Sequence, residues 1–257
     1  MKNKERLDVL LVERGYFESR AKAQAVIMSG DVYVDGQKAD KAGASYDREA
    51  NIEVRGSVCP YVSRGGYKLE AALKGFLVNP EGMICADIGA SSGGFTDCLL
   101  QNGAKKVYAI DSGSGQLHPS LQKNNRVISI ENCNARYLSE KEIPEPVDMA
   151  VMDVSFISQT KLYGALIPLM KEGALLLSLI KPQFEVGRSG IGKGGIVRDE
   201  KKRKEAVEQV VASAEAYGLF CDAVIPSPIR GGDGNIEFLA CFQKGSSPEE
   251  REVSYED

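Results

Sequence analysis

The chain has 257 residues, 43% hydrophobic and 26% charged, enough apolar mass for one large domain or a small one followed by a medium one. No run approaches the roughly 20 apolar residues of a membrane helix, and the start MKNKERLDVLL is too charged for a signal peptide, so a cytoplasmic protein without membrane contact is expected. The net charge of −4 belongs to Gly245–Asp257, with five acids and one arginine, because the rest balances at 31 basic against 31 acidic residues.

Residues 5–60 read as a first unit. RLDVLLVERG places Leu7, Leu10 and Leu11 at helical spacing, and Gly15 is suited to end that helix. Ser19 is placed to cap a second helix, SRAKAQAVIMSG, which stops at Gly30. DVYVDGQ follows as a short alternating strand closed by the Asp35-Gly36 turn pair, and NIEVRG reads as a further strand. Two short helices and a small sheet in this order resemble the ribosomal protein S4-like RNA-binding domain. The resemblance implies that Arg6, Arg14, Arg20 and Lys22 face structured RNA. Residues 1–60 hold ten basic and ten acidic side chains, so such a face must come from segregation of charge. Cys59-Pro60-Tyr61-Val62 reads as a linker, because the residue before a proline is pushed toward extended geometry. The boundaries expected are therefore 5–60, 61–244, and an acidic, apolar-poor tail at 245–257 that reads as disordered.

After the linker, SRGGYKLEAALKGF is a helix introduced by Ser63 and carrying Lys68. From Ile84 onward strands alternate with helices, the signature of a doubly wound, Rossmann-like α/β sheet. The strands are ICADIG, KVYAID, RVISIE, VDMAVMD, GALLLSLI, GLFCDAVI and IEFLACF. FTDCLLQNG, KLYGALIPLMK and EKKRKEAVEQVVASAEAYG are the helices between them. Only PSPIRGGDGN separates the last two strands, which predicts an antiparallel hairpin at the sheet edge. Six cysteines are scattered without a CxxC pair and His118 is the sole histidine, so a metal site is not expected.

The turn after the first strand of this sheet, Asp87-Ile-Gly89-Ala90-Ser91-Ser-Gly93-Gly94, opens a helix. Glycines there let backbone approach a ligand closely, and ligands of such sheets lie outside the strand ends. The spacing G-x-x-x-G-G differs from the dinucleotide pattern G-x-G-x-x-G and resembles the first motif of methyltransferases. Asp111 ends the second strand, 24 residues after Asp87, where an acid accepts hydrogen bonds from a ribose diol. Asn134 follows the third strand, at the adenine position of such enzymes. S-adenosylmethionine is the cofactor expected.

The fourth strand ends in Asp153-Val-Ser-Phe, without the prolines of the Asn/Asp-Pro-Pro-aromatic turn of exocyclic-amine enzymes. Base-carbon methylation usually needs a cysteine nucleophile, and no cysteine follows the fourth or fifth strand. Instead Asp153, Lys181 and Glu237 stand at strand ends, with Lys68 on the preceding helix. A ribose hydroxyl needs a base and a cationic neighbour to attack a sulfonium methyl, and a lysine beside another cation can accept that proton. Asp153 and Glu237 would orient the lysines.

SRGGYKLEAAL, DIGASSGGFTD, MDVSFIS, KPQFEVG and NIEFL together resemble the TlyA family, and more distantly the FtsJ-type ribose methyltransferases. The resemblance spans residues 5–244 and places the family's Lys-Asp-Lys-Glu tetrad on Lys68, Asp153, Lys181 and Glu237. It implies 2′-O-methylation of a cytidine in ribosomal RNA, with ribosomal RNA or ribosomal subunits as partners, and Arg64 of the first motif joins the RNA-facing set. Where that family often carries tryptophan in the linker, this chain has Tyr61. Two other readings compete: a non-catalytic ribosome-assembly factor, opposed by the intact tetrad, and a pore-forming hemolysin, for which no amphipathic membrane segment is found.

Overall fold

The structure, a computed structural model, describes residues 4–17, 19–54, 59–187, 190–192, 194–231 and 234–245. The expected tail lies outside the described residues from 246 onward. The chain divides into two compact units, Met1–Pro60 and Tyr61–Asp257.

In the first unit, β1 (Lys4–Arg6) leads into α1 (Leu7–Glu13), followed by α2 (Arg20–Ser29), β2 (Val32–Val34), β3 (Gln37–Lys38), β4 (Ser45–Asp47) and β5 (Ile52–Val54). Gly15, at φ +75°, follows the cap Arg14, and Tyr16 N–H returns to the Leu11 carbonyl. That is the left-handed helix stop that glycine adopts without a Cβ penalty. Ser19 Oγ accepts from Lys22 N–H, and Gly30 closes α2 in the left-handed region. Asp35 and Gly36 both have positive φ, as a two-residue hairpin turn between β2 and β3 requires. The sheet is split: β3-β2-β5 carries the expected strands, while β1 pairs with β4 separately. Leu7, Leu10, Leu11, Ile27 and Val32 are buried together, each side chain stabilising the unit by about 1.5–3 kcal/mol.

The second unit begins with α3 (Gly65–Gly75), then β6 (Ile84–Ile88), α4 (Gly94–Gln101), β7 (Lys106–Ile110), α5 (Pro119–Gln122), β8 (Val127–Ile130) and β9 (Val147–Met152). It continues through α6 (Tyr163–Leu166), β10 (Met170–Ile180), α7 (Pro182–Glu185), α8 (Glu200–Glu215), β11 (Leu219–Pro226) and β12 (Phe238–Lys244). The seven strands lie in the order β11-β12-β10-β9-β6-β7-β8. Strands β8, β7, β6, β9 and β10 run parallel, while β12 is antiparallel to both β10 and β11. The closing hairpin at the edge is as the short connection predicts. Strand order reverses beside β6, which opens a crevice at the carboxyl ends of β6 and β9.

Two local expectations differ from the structure. The helix read across Lys161–Lys171 is broken into a 3-10 turn, the four residues of α6 and a second 3-10 turn at Ile167–Leu169. Pro168 lacks the N–H that would continue α6, and the chain from Met170 is already paired as β10. The cap of α3 is Arg64, one residue beyond Ser63, whose carbonyl accepts from Gly66 N–H.

Candidate active site

The glycine-rich turn is shaped by packing. Gly89 sits at φ +86°, and an added Cβ would lie 2.5 Å from the Asp153 carbonyl oxygen, so the end of β9 closes against bare backbone there. At Gly94 a Cβ would meet Ser63 Oγ and the Gly66 nitrogen, so α3 and α4 meet N-terminus to N-terminus. Both positive dipole ends therefore face the same region.

Two adjoining clefts open on this turn and share Gly89, Ser91, Asp153 and Ser155. The larger, about 690 Å3, brings Asp111 and Asn134 beside an apolar strip that includes Ile110, Val154, Ile157 and Leu162. Asp111 accepts from Ser91 N–H at 2.8 Å and Gly113 N–H at 2.7 Å, so its carboxylate is aimed by backbone. Asn134 caps a 3-10 turn through Arg136 N–H. The smaller cleft, about 350 Å3, is lined by Ala90, Gly94, Arg64, Lys68, Lys181 and Arg230, among others.

Two residues expected to hold the cofactor stand behind the wall. Gly93, in the left-handed region, caps α4 and packs toward Leu117 and Leu121. Asp87 is fully buried and accepts a 2.6 Å hydrogen bond from the Thr96 hydroxyl, while its other oxygen has no hydrogen-bond partner among the described residues. Burial above all, with Asp153 and Asp111 nearby, pushes its carboxyl up to about 7, against the lowering effect of Thr96. The folded chain thus keeps a proton that the unfolded chain, with the ordinary aspartate value of 3.8, releases. That contribution to stability is present below about pH 4 and lost as pH rises through about 7. Melting from pH 5 to 8 should therefore fall more steeply for the wild type than for Asp87→Asn, which cannot ionise; parallel curves would refute the assignment.

The four candidate catalytic residues form two ion pairs. Lys68 Nζ lies 2.6 Å from Glu237 Oε2, with side chains only 11% and 2% exposed. Lys181 Nζ lies 2.5 Å from Asp153 Oδ1 and donates to Ser155 Oγ at 2.8 Å. The Lys181–Asp153 approach is a charge contact: Asp153 Oδ1 is buried and has no aligned hydrogen-bond donor among the described residues. Glu237 immediately precedes β12 and is set there by Asn235, whose amide joins Val197 N–H to the Gly195 carbonyl.

The sequence reading gave no role to Asn235, Arg230 or Phe156. Asn235 and Phe156 entered only as letters of the NIEFL and MDVSFIS motifs, and Arg230 lay in a connection read only for its length. Phe156 is 92% exposed at φ +64°, an unusual conformation for a bulky side chain, and it lines the larger cleft. His118 is exposed and caps α5. Among the described residues no cluster of acidic, His or Cys side chains is placed to hold a metal ion, and no helix is long and apolar enough to cross a membrane.

In the first unit, Asp8 is buried and receives Arg6, Arg20 and Gln24. Arg6 above all holds its carboxyl well below the usual carboxylate range. Arg6 and Arg20 are thereby fixed with half their surface still open. Arg14 is engaged differently: its guanidinium donates to the Ala50 and Arg48 carbonyls. Lys22 is exposed on α2.

Residues 61–244, most of the chain, match the FtsJ-like methyltransferase family. The chain belongs to that family. Residues 5–51 match the S4 domain. The FtsJ-like chain is 48% identical over 237 residues to YqxC of Bacillus subtilis, a candidate rRNA methyltransferase, covering 92% of this chain and 84% of the relative. It is 41% identical over 240 residues to the 16S/23S rRNA (cytidine-2′-O)-methyltransferase TlyA of Mycobacterium tuberculosis, covering 93% and 90%. A solved structure of a candidate hemolysin from Streptococcus thermophilus superposes at TM-score 0.76 with 44% identity, covering 96% of this chain and 91% of that one. The protein is a methyltransferase carrying an S4 domain.

Proposed function

We propose that this enzyme transfers a methyl group from S-adenosylmethionine to the 2′-hydroxyl of a cytidine in ribosomal RNA, working in the cytoplasm where ribosomes are built. The observation that carries the reading is the pair of lysine–carboxylate contacts at the crevice mouth, Lys181–Asp153 and Lys68–Glu237. The substrate class is carried over from the TlyA relative, which matches nearly the whole chain. The S4 domain, with Arg6 and Arg20 braced on Asp8, supplies a surface for RNA phosphates. Phe156 offers an exposed ring on which an unpaired base can stack.

The residues present fit the cofactor. The larger cleft joins an apolar strip for an adenine to a backbone-aimed carboxylate, Asp111, for the ribose diol. The converging amino ends of α3 and α4, with Arg64, suit a carboxylate. When bound, the cofactor supplies a methyl group activated by a sulfonium. Lys68 and Asp153 hold the ribose, and Glu237 holds Lys68. Lys181, once its ammonium has given a proton to solvent, would take the 2′-hydroxyl proton as the O–C bond forms and the S–CH3 bond breaks to leave a neutral thioether, and would then pass that proton to solvent.

The direct test is methyl transfer from labelled cofactor to ribosomal subunits, followed by mapping of 2′-O-methyl positions. Transfer to a base, or none to RNA, would overturn the reading. Asp111→Ala should weaken cofactor binding by about 1.5–3 kcal/mol, or roughly 10–150-fold, the scale of hydrogen bonds to a charged group. Titration calorimetry showing an unchanged Kd would remove Asp111 from the site.

A further inference from the structure

Two segments meet at the crevice: the loop that follows β9, starting at Asp153, and the turn that follows β10, starting at Lys181. They are joined at one end by Lys181, through Asp153 and Ser155. At the other end Ser158 Oγ donates to Glu185 Oε2 at 2.5 Å and Gln159 N–H donates to Glu185 Oε1 at 3.1 Å. Glu185 is 8% exposed, a buried acid that none of the roles above employs. Burial raises its carboxyl and the Ser158 bond lowers it. Glu185 is the last residue of α7 and Lys181 immediately precedes that turn, and Phe184 N–H donates to the Lys181 carbonyl at 2.9 Å, so the position of one fixes the backbone of the other. Gln159 is itself anchored, its Oε1 accepting from Tyr163 at 3.2 Å and from Ser178 of β10. Phe156, between the two joints, leans on Phe184 of α7 at 5.2 Å between ring centres.

These contacts form a closed frame with a joint at each end. In the reaction proposed above, on which this inference rests, Lys181 must turn from Asp153 and Ser155 toward a substrate hydroxyl. One joint then loosens at the moment when alignment matters most. We propose that Glu185 is a positioning residue, a fixed latch that keeps the Asp153 loop against the Lys181 turn while Lys181 changes partners.

Glu185→Ala should lower kcat by roughly 10²-fold, the scale of an ångström-sized misplacement of reacting groups, while KM for RNA and the cofactor Kd stay near wild type. Glu185→Gln keeps an acceptor of the same shape and should restore most of the rate. A wild-type kcat in Glu185→Ala overturns the inference, as does a rise in KM with kcat unchanged, which would make the loop a binding element. If Glu185→Ala does not fold, Ser158→Ala carries the test: a loss confined to kcat supports the latch and a wild-type kcat overturns it. A wild-type enzyme that fails to methylate RNA would count against the substrate reading alone. The latch is then decided on the free enzyme by hydrogen exchange over 153–160. Faster exchange in Glu185→Ala, or in Ser158→Ala where Glu185→Ala does not fold, supports it, and exchange equal to wild type removes it.

Discussion

Lys181→Arg is expected to leave the methyltransferase folded, loaded with cofactor and bound to RNA, yet nearly unable to transfer a methyl group. Lys181 Nζ touches Asp153 and Ser155, and its side chain is 11% exposed. A guanidinium can keep the charge contact with Asp153 but holds its proton near neutral pH, so it cannot act as the base. Lys181→Ala should lose a similar factor, roughly 10²–10⁴ in rate, the usual worth of a general base. Because the missing interaction matters mainly in the transition state, kcat falls while ground-state affinity does not. Single-turnover transfer at saturating RNA and cofactor is the measurement. A Lys181→Arg enzyme working near the wild-type rate would mean that only positive charge is needed there, and the proton would leave by another route.

Glu237→Ala should cost more in stability than any other single change at the site. It would strand the Lys68 ammonium, whose one ion pair among the described residues is the 2.6 Å contact with Glu237, in a place where the two side chains are 11% and 2% exposed. Removing one partner of a buried pair typically costs about 3–5 kcal/mol, whereas replacing both by apolar residues of similar volume is often neutral. The double variant Lys68→Met/Glu237→Met should therefore recover much of the stability lost by Glu237→Ala and none of the activity. Urea unfolding of the three proteins decides this. A loss below about 0.5 kcal/mol for Glu237→Ala, the range of surface substitutions, would show that water reaches the ammonium.

What was legible in the sequence is what strong local chemistry dictates. The strand–glycine turn–helix at Ile84–Gln101, the hairpin turn at Asp35-Gly36 and the cap at Ser19 each depend on residues a few positions apart. The edge hairpin followed from a connection too short for a crossover helix. The pairing of Lys4–Arg6 with Ser45–Asp47 did not show, because three-residue strands carry no periodicity. KLYGALIPLMK spaces its apolar residues like a helix, but Pro168 and the early start of β10 outweigh that pattern. At the site, charged residues at strand ends could be found by position, but which carboxylate meets which lysine is a three-dimensional fact. Nor could spacing reveal that Asp87 lies behind the wall while Asp111 faces the cleft, since both end buried strands.

The Lys68–Glu237 contact spans 169 positions of chain, and the strand that follows Glu237 inserts between β10 and β11. Synthesis proceeds from the amino end, so the first unit and most of the parallel sheet emerge while Glu237 is still unmade. Domains generally fold in that order as they emerge. On the mechanism proposed above, catalytic competence therefore arrives late in the birth of each molecule. By the same proposal, a nascent chain would offer its S4 surface to RNA before it could modify anything, and a ribosome that abandons this message before Glu237 would release a binder without chemistry.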